Sequence, residues 1–535
     1  MSFDPATEGA TSGGQDGPRD RLGELWLLVT ALVLPLLALM LIGRAVRAPS
    51  EELLDHTNLG HGGTASGYRD RVAYAIVLVL SAVALSLALN MPSSVSRRSS
   101  IAFLGNRWWR TLPAVGAMVG VVVGLLVRDQ RGPVESFSGF ALFDGLLVVA
   151  MALAILTRRD IRLTIWGFPV VRRGVCISAV VVLLWRFLPL IQRPRSTLDA
   201  YHSSFVLNEL LSVVGGRFPG FDFVAQYSTG LGYGFWVFDL LVPLEVFDSV
   251  FLFITLLNVL IVVATIGVVW WAWRCTAVWL CVAAVCLSAA TFTVPPGLSA
   301  GAGNTQYFAN MPIRQIGLAA TLIGIVALLA CANHMVRGSL IAGVIAALAV
   351  GANLESGLAA LVAIGVVRIF LGHERWRKRV FHLFLIVFPT LGLVLGFALA
   401  QRLTDSLCGL DCVYEFAQIY GGLGFASADM PVLGVHSVVF AGFVLSAYSA
   451  GRTAVCQAGR WRIGSVERQI GGDLSTVRIA AVTLGAAVFG LLGMSYYVNR
   501  SFAQLLLAVF LPLAISSMGM LTLLVRESAP NTLAE

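Results

Sequence analysis

The sequence predicts an all-α polytopic membrane protein with about 14 transmembrane helices, and roughly 12–14 as the range. Of its 535 residues, 57% are hydrophobic and 12% are charged, whereas soluble domains carry about 25% charged residues. That deficit excludes a soluble globular protein. The formal net charge of +8 comes largely from arginines in the short connections between apolar runs, where they set orientation. It does not indicate a nucleic-acid partner.

The apolar runs divide the chain in order. The sequence predicts four parts: a disordered cytoplasmic tail at 1–23, an N-terminal four-span module at 24–171, a membrane core at 172–525 and a second cytoplasmic tail at 526–535. The predicted spans lie at about 24–43, 72–90, 112–127, 139–156, 172–192, 249–271, 275–293, 315–333, 338–352, 355–371, 380–400, 436–450, 478–495 and 503–525.

The arginines orient these spans. With the N-terminus in the cytoplasm and alternating loops, most Arg and Lys residues fall on the cytoplasmic side, as the positive-inside rule requires. This orientation predicts a multi-pass protein of the plasma membrane with both termini in the cytoplasm. It also places the most polar and Gly-rich connections together on the outer face: 199–235, 295–314, 401–436 and 496–501.

The outer loop 193–248 is the most polar part of the core. Apolar positions at helical spacing over 200–215 predict a helix lying in the membrane interface, which Gly215 and Gly216 end. The Arg-Phe-Pro-Gly sequence from Arg217 to Gly220 predicts a turn. A second interfacial stretch, 236–248, leads into the next span.

Three carboxylates in this loop are candidates for chemistry. Asp199 near the membrane surface suits a general base, because partial desolvation raises the basicity of a carboxylate. Its alternative role is the N-cap of the interfacial helix. Glu209 and Asp222 in the same loop, together with His202 and Arg217, exceed what capping needs.

Charged residues near the predicted membrane boundary form a second group. Arg186, Arg217 and Arg314 could grip a phosphate with their planar guanidinium groups, or they could snorkel and pair with carboxylates. Glu355 lies between two short predicted spans. Its carboxylate is therefore either set below the outer surface, where it suggests function, or fully exposed in an outer turn.

Metal and disulfide signals are weak. No His/Asp pair has metal-ligand spacing, and His334 and His436 favour structural roles over ligation. Of the eight cysteines, Cys408 and Cys412 lie in a polar loop. They could form a disulfide if that loop faces an oxidising compartment, or they could remain free.

The order of short motifs resembles the GT-C glycosyltransferase superfamily of polytopic membrane proteins, in a bacterial, polyprenyl-phosphate-sugar-dependent form. The matching stretches are LDAYH, NELL, GGRFPGFDF and QYSTGLGYG in the first outer loop, then NLESG, YGGLGF, MPVLGVH and YYVNRS. The resemblance covers about 172–501. It implies a GT-C-like core over 172–525, with interfacial helices in its first outer loop.

The resemblance also implies an activity. The donor would be a polyprenyl-phosphate-linked sugar, and the acceptor a glycan or lipid outside the membrane, glycosylated with inversion. The base would be Asp199, with Asp222 as second choice, and Arg217 or Arg314 would hold the donor phosphate. The remaining residues expected to bind substrate are His202, Glu209, Gln226 and Glu355. No cofactor is identified with certainty, and a divalent metal ion stays open.

The sequence departs from the family pattern in three places. Gln226-Tyr227-Ser228 replaces the usual Gln-His-Gly, four extra spans precede the core, and a large C-terminal outer domain is missing. Two other functions compete with the glycosyltransferase: a lipid or polysaccharide transporter or flippase, and a polymerase or ligase of surface polysaccharide. A transporter favours internal repeats and polar residues at mid-membrane, whereas the polar residues here cluster on one face.

Overall fold

A computed structural model describes residues 200–223, 225, 229–242, 244–273, 311–371, 376–404, 435–458, 473–495 and 508–528. Its regular elements in these ranges are ten helices. They are α1 Ala200–Val214, α2 Thr229–Leu241, α3 Val246–Trp273, α4 Met311–Ala330, α5 Met335–Ala352, α6 Leu354–Leu371, α7 Trp376–Leu403, α8 Val435–Ala458, α9 Asp473–Gly493 and α10 Phe510–Ser528.

Six helices in this part of the chain, α3 to α7 and α9, are long and apolar enough to cross a membrane, by length and composition. The prediction of an α-helical, multi-pass membrane protein is confirmed at this level. Each helix from α3 to α10 overlaps a predicted span. The spans predicted between 24 and 192 and at 275–293 lie outside the described residues. So do the tail at 1–23 and the whole N-terminal module at 24–171, and the number of about 14 spans therefore stays a prediction.

Helix α9 forms the centre of the bundle and packs against α8, α10, α6 and α4. Small residues allow these close approaches, as is common between membrane helices. Gly490 faces the ring of Phe443 on α8, and Gly519 of α10 lies against Thr483. A side chain at either glycine would collide with its neighbour, so glycine at these two positions allows the helices to pack at short distance.

Helices α4, α5 and α6 form a second tightly packed group. Gly317 of α4 lies against the backbone of Ser356, and Gly357 of α6 lies against the backbone of Val350 on α5. Asn353 separates α5 from α6. The turn between these two helices is therefore short and held close to the start of α4.

Helix α7 differs from the other spans because most of its surface is not covered by neighbouring helices. Its buried residues are His382, Ile386, Thr390 and Gln401. Exposed apolar side chains are normal on a membrane helix, because lipid replaces water as the solvent. Pro389 lies in the middle of the helix, where it lacks an N–H to donate to the preceding turn.

Candidate functional site at one end of the bundle

Several polar connections meet at one end of the helix bundle. Gly230 at the start of α2 touches Gly351 near the end of α5. Gln401 near the end of α7 donates a hydrogen bond to the carbonyl of Gly220 in the α1–α2 connection. Glu355 at the start of α6 bonds Ser495, just after α9. Of the loops predicted on the outer face, 199–235 and 401–436 therefore meet at Gly220 and Gln401. Residues 496–501 lie outside the described ranges.

The α1–α2 connection begins where glycine ends α1. The Arg217 amide donates to the Ser212 carbonyl at 2.9 Å, and the Gly216 amide to the Val213 carbonyl at 3.0 Å. Gly216 has a φ of 79°. These features form a Schellman motif, in which glycine takes the left-handed position at low cost. The predicted helix end at Gly215 and Gly216 is therefore correct.

Asp222 closes the following turn on itself. Its carboxylate Oδ2 accepts a hydrogen bond from the Phe218 amide at 2.7 Å, and its own amide donates to the Phe218 carbonyl at 2.9 Å. The Gly220 amide donates to the Phe223 carbonyl at 2.7 Å. Asp222 itself is exposed. The turn thus presents a carboxylate of fixed position at the end of the bundle.

Aromatic rings pack around this turn. The ring of Phe218 stacks on that of Tyr233 with centroids 5.8 Å apart, and it meets Trp236 edge-on at 5.8 Å. Arg217 is exposed, and its guanidinium carbon lies 5.8 Å from the ring centroid of Phe223. Such rings can stack on a sugar or anchor the chain at a membrane interface.

Tyr233 connects the aromatic group to the turn. Its hydroxyl donates a hydrogen bond to the Pro219 carbonyl at 2.9 Å. Burial, and then the negative charge of Asp222, raise the pKa of Tyr233 from 10.0 to about 12, because both disfavour the phenolate. Tyr233 therefore stays a hydrogen-bond donor throughout the neutral pH range.

Arg314 and Glu355 form an ion pair at the same end of the bundle. The Arg314 Nη1 bonds the Glu355 Oε2, and the Ser495 hydroxyl donates to Glu355 Oε1 at 3.2 Å. The side chain of Arg314 is 9% exposed, and that of Glu355 is 43% exposed. The exposed partner of this pair is thus the carboxylate, so a phosphate would contact the buried Arg314 guanidinium only by displacing Glu355.

The start of α6 holds Glu355 in place. The Ser356 amide donates to the Asn353 Oδ1 at 2.8 Å, so Asn353 caps the helix. The Ser356 hydroxyl donates to the Ile313 carbonyl at 2.8 Å, which ties α6 to α4 beside Arg314. Sequence reasoning missed the roles of Asn353, Ser356 and Ser495, although an Asn immediately before an apolar helical run is a recognisable N-cap signal.

The predicted site residues fall into four groups. Arg314 and Glu355 are brought together, and Arg217 and Asp222 lie in the α1–α2 connection. Glu209 is 6% exposed on α1, among the buried residues of that helix. Asp199, Gln226 and Arg186 lie outside the described residues. His202 lies on α1, but its side chain is outside the described part.

Two structural expectations have partial outcomes. Helix α2 begins at Thr229, so much of the QYSTGLGYG motif is helical. The stretch predicted at 236–248 is divided between the end of α2 and the start of α3. The pair Cys408 and Cys412 lies outside the described residues. Within the described ranges no group of three or more His, Cys, Asp or Glu side chains is placed to hold a metal ion.

Comparison of the chain with models of protein families, with curated proteins and with solved structures found no match.

Proposed function

We propose that this protein is a membrane glycosyltransferase that moves a sugar from a polyprenyl-phosphate donor to a glycan or lipid acceptor at the outer face of the plasma membrane. The observation that carries the proposal is the polar end of an apolar bundle. The Arg314–Glu355 pair lies there, and so does the turn that presents Asp222. A lipid-linked phosphate would bring its charge to this membrane boundary, where both groups are needed.

The reaction requires few groups from the protein. A carboxylate takes the proton of the acceptor hydroxyl, the oxygen attacks the anomeric carbon, and the bond to the polyprenyl phosphate breaks with inversion. Because the leaving group is already a phosphate, it carries the departing electron pair without needing a strong acid. The two needs are therefore a general base and a positive group for the phosphate.

The roles follow the sequence motifs. Asp199 is the first choice for the base and Asp222 the second. Arg314 or Arg217 binds the donor phosphate. In this arrangement the carboxylate of Glu355 fixes the direction of the Arg314 guanidinium, since their bond restricts a long and flexible side chain.

The other predicted contacts complete the proposal. His202, Glu209 and Gln226 contribute to binding of the sugar or the acceptor. A divalent metal ion stays open as a cofactor, and the proposal requires none. The N- and C-termini lie in the cytoplasm, as the arginine distribution of the loops predicts.

The distribution of charge favours an enzyme over a transporter. In the six described membrane-crossing helices, charged residues lie in or next to the end turns, such as Asp248, Arg314, Glu355 and Arg368. A transporter that binds a charged substrate at mid-membrane favours charged partners there, often in broken helices. A surface site that acts on a lipid-linked substrate does not. The buried polar residues in the middle of α3 and α7, Asn258 and Thr390, are uncharged.

Sugar transfer by carboxylate variants tests the proposal. A strain that lacks its own copy would carry the wild-type chain, Asp199→Asn, Asp222→Asn or the control Asp239→Asn, a carboxylate of α2 outside the turn. Membranes would receive a panel of polyprenyl-phosphate sugars with radiolabelled mannose, glucose or arabinose. Loss of the general base lowers transfer by about 10²-fold or more, and Asp239→Asn leaves it unchanged. Full transfer by both Asn variants at normal expression contradicts the assignment.

A further inference from the structure

Gln401 is a buried polar residue on a helix that is otherwise mostly exposed. It is 3% exposed, whereas the stretch of α7 from Leu391 to Gly396 is exposed throughout. A side chain built at Gly392 or Gly396 would meet no neighbouring atom within 4 Å. After this exposed stretch, α7 is buried again only near its end, at Gln401. A buried amide side chain costs free energy unless it is hydrogen-bonded.

The α1–α2 turn supplies the partner of Gln401. Its Nε2 donates to the carbonyl of Gly220. One turn earlier on α7, the ring of Phe397 meets the ring of Phe221 with centroids 5.2 Å apart. Gly220 has a φ of 83°, and Phe397 occupies the space where a side chain would stand. The end of α7 is thus fitted to this turn.

A second helix holds the neighbouring carbonyl. The hydroxyl of Tyr233 on α2 donates to the Pro219 carbonyl at 2.9 Å, so two successive carbonyls each receive a side-chain donor from a different helix. The turn is closed on its other side by the bond between the Asp222 carboxylate and the Phe218 amide. The position of Asp222 therefore depends on α2 and α7 as well as on the turn itself.

We infer that Gln401 and Tyr233 are positioning residues, which fix the Asp222 carboxylate by holding the Pro219 and Gly220 carbonyls from α7 and α2. The inference rests on the proposed function for its catalytic consequence. Neither residue touches the reacting atoms. Their role is to keep the carboxylate of Asp222 at one place, because misplacement of a catalytic group by about 1 Å can lower a rate by about 10²-fold.

The test uses the full-length chain in lipid nanodiscs. Gln401→Leu removes the donor on α7, and Tyr233→Phe removes only the hydroxyl while the ring that stacks on Phe218 remains. Thr404→Val is the matched control, because the exposed Thr404 hydroxyl bonds only backbone carbonyls of α7, those of Ala400 and Gln401, in the described contacts, and leaves the Gln401 side chain in place. The measurements are hydrogen exchange of the amides at 218 and 220–223, and kcat and KM for the radiolabelled polyprenyl-phosphate sugar panel.

We expect Gln401→Leu and Tyr233→Phe to speed exchange at 218–223 about tenfold or more. We also expect kcat to fall about tenfold, with KM for the donor within about twofold of the wild type. Thr404→Val should change none of these quantities. Wild-type exchange in both variants overturns the inference, and so does an unchanged kcat with a raised KM, because that result marks substrate contact.

The proposed function and the inference fail in different ways. If Asp222→Asn transfers sugar at the wild-type rate, the proposed role of Asp222 is wrong. Exchange at 218–223 in the Gln401 and Tyr233 variants then decides alone whether these residues hold the turn. If Asp222→Asn is inactive and both variants keep wild-type exchange and kcat, the proposed function stands and the inference is wrong.

Discussion

Removal of the Glu355 carboxylate should destabilise the bundle through Arg314. Glu355→Ala leaves a guanidinium that is 9% exposed without the carboxylate that faces it. Removing one partner of a fully buried ion pair costs about 3–5 kcal/mol, and exposed pairs contribute about 0–1 kcal/mol. Because Glu355 is 43% exposed, water can reach part of the pair, and we expect an intermediate loss of about 1–3 kcal/mol.

A graded set of variants separates charge from packing. Glu355→Gln keeps an oxygen that can accept from Arg314, so its loss should be smaller than that of Glu355→Ala. Ser495→Ala removes one neutral hydrogen bond, worth about 1 kcal/mol or less. The double variant Arg314→Met, Glu355→Leu removes both charges, and it should be more stable than Glu355→Ala because the buried guanidinium is removed together with its carboxylate.

Thermal unfolding of the purified chain in detergent measures these differences. The apparent Tm should fall most for Glu355→Ala, less for Glu355→Gln, and least for Ser495→Ala. Arg377→Gln, which changes an exposed charge at the start of α7, is the control and should melt like the wild type. The reasoning is refuted if Glu355→Ala also melts like the wild type, or if the double variant loses at least as much as Glu355→Ala.

Three further predictions concern the turn and the packing of the spans. The Cζ resonance of Tyr233, assigned by comparison with Tyr233→Phe, should titrate near pH 12 instead of 10.0. The stabilisation of the turn by this hydroxyl is then fully present below pH 10.0 and lost as the pH rises toward 12. A titration near 10.0 contradicts this. Gly357→Ala should cost about 1–3 kcal/mol by thermal unfolding, because a Cβ there meets the backbone of Val350, whereas Gly267→Ala on α3 enters open space and should not destabilise. Gly216→Ala should cost about 1 kcal/mol from its positive φ alone, and Gly216→Asn less, so equal stability of Gly216→Ala and the wild type would exclude the Schellman end.

Much of the helical framework follows from composition. Apolar runs of sufficient length predicted α3 to α7, since a membrane helix must bury its backbone polar groups in its own hydrogen bonds. Glycine predicted the end of α1 because few other residues tolerate the conformation at Gly216. The run at 436–450 is part of a longer helix, α8, because the polar residues that follow it continue the helix to Ala458.

The contacts of the site were less predictable than its residues. The sequence singled out Arg314 and Glu355 as charges near a membrane boundary, but their pairing depends on how α4 and α6 pack, which periodicity does not report. Gln401 gave no signal, because a lone amide at a helix end is common, and the sequence marked Tyr233 only as part of the QYSTGLGYG motif. Gln401 bonds a carbonyl 181 residues earlier in the chain and Tyr233 one 14 residues earlier. Both contacts depend on how the helices pack, which local sequence does not encode.

Donor consumption by the purified chain tests the central claim most directly. The full-length protein in liposomes would receive the radiolabelled polyprenyl-phosphate sugars or the matching nucleotide sugars, together with a membrane acceptor fraction. The account predicts that label moves to the acceptor from a polyprenyl-phosphate sugar, with release of polyprenyl phosphate, and that nucleotide sugars are not consumed. Transfer from a nucleotide sugar, or no consumption of any lipid-linked donor by well-folded protein, would contradict it.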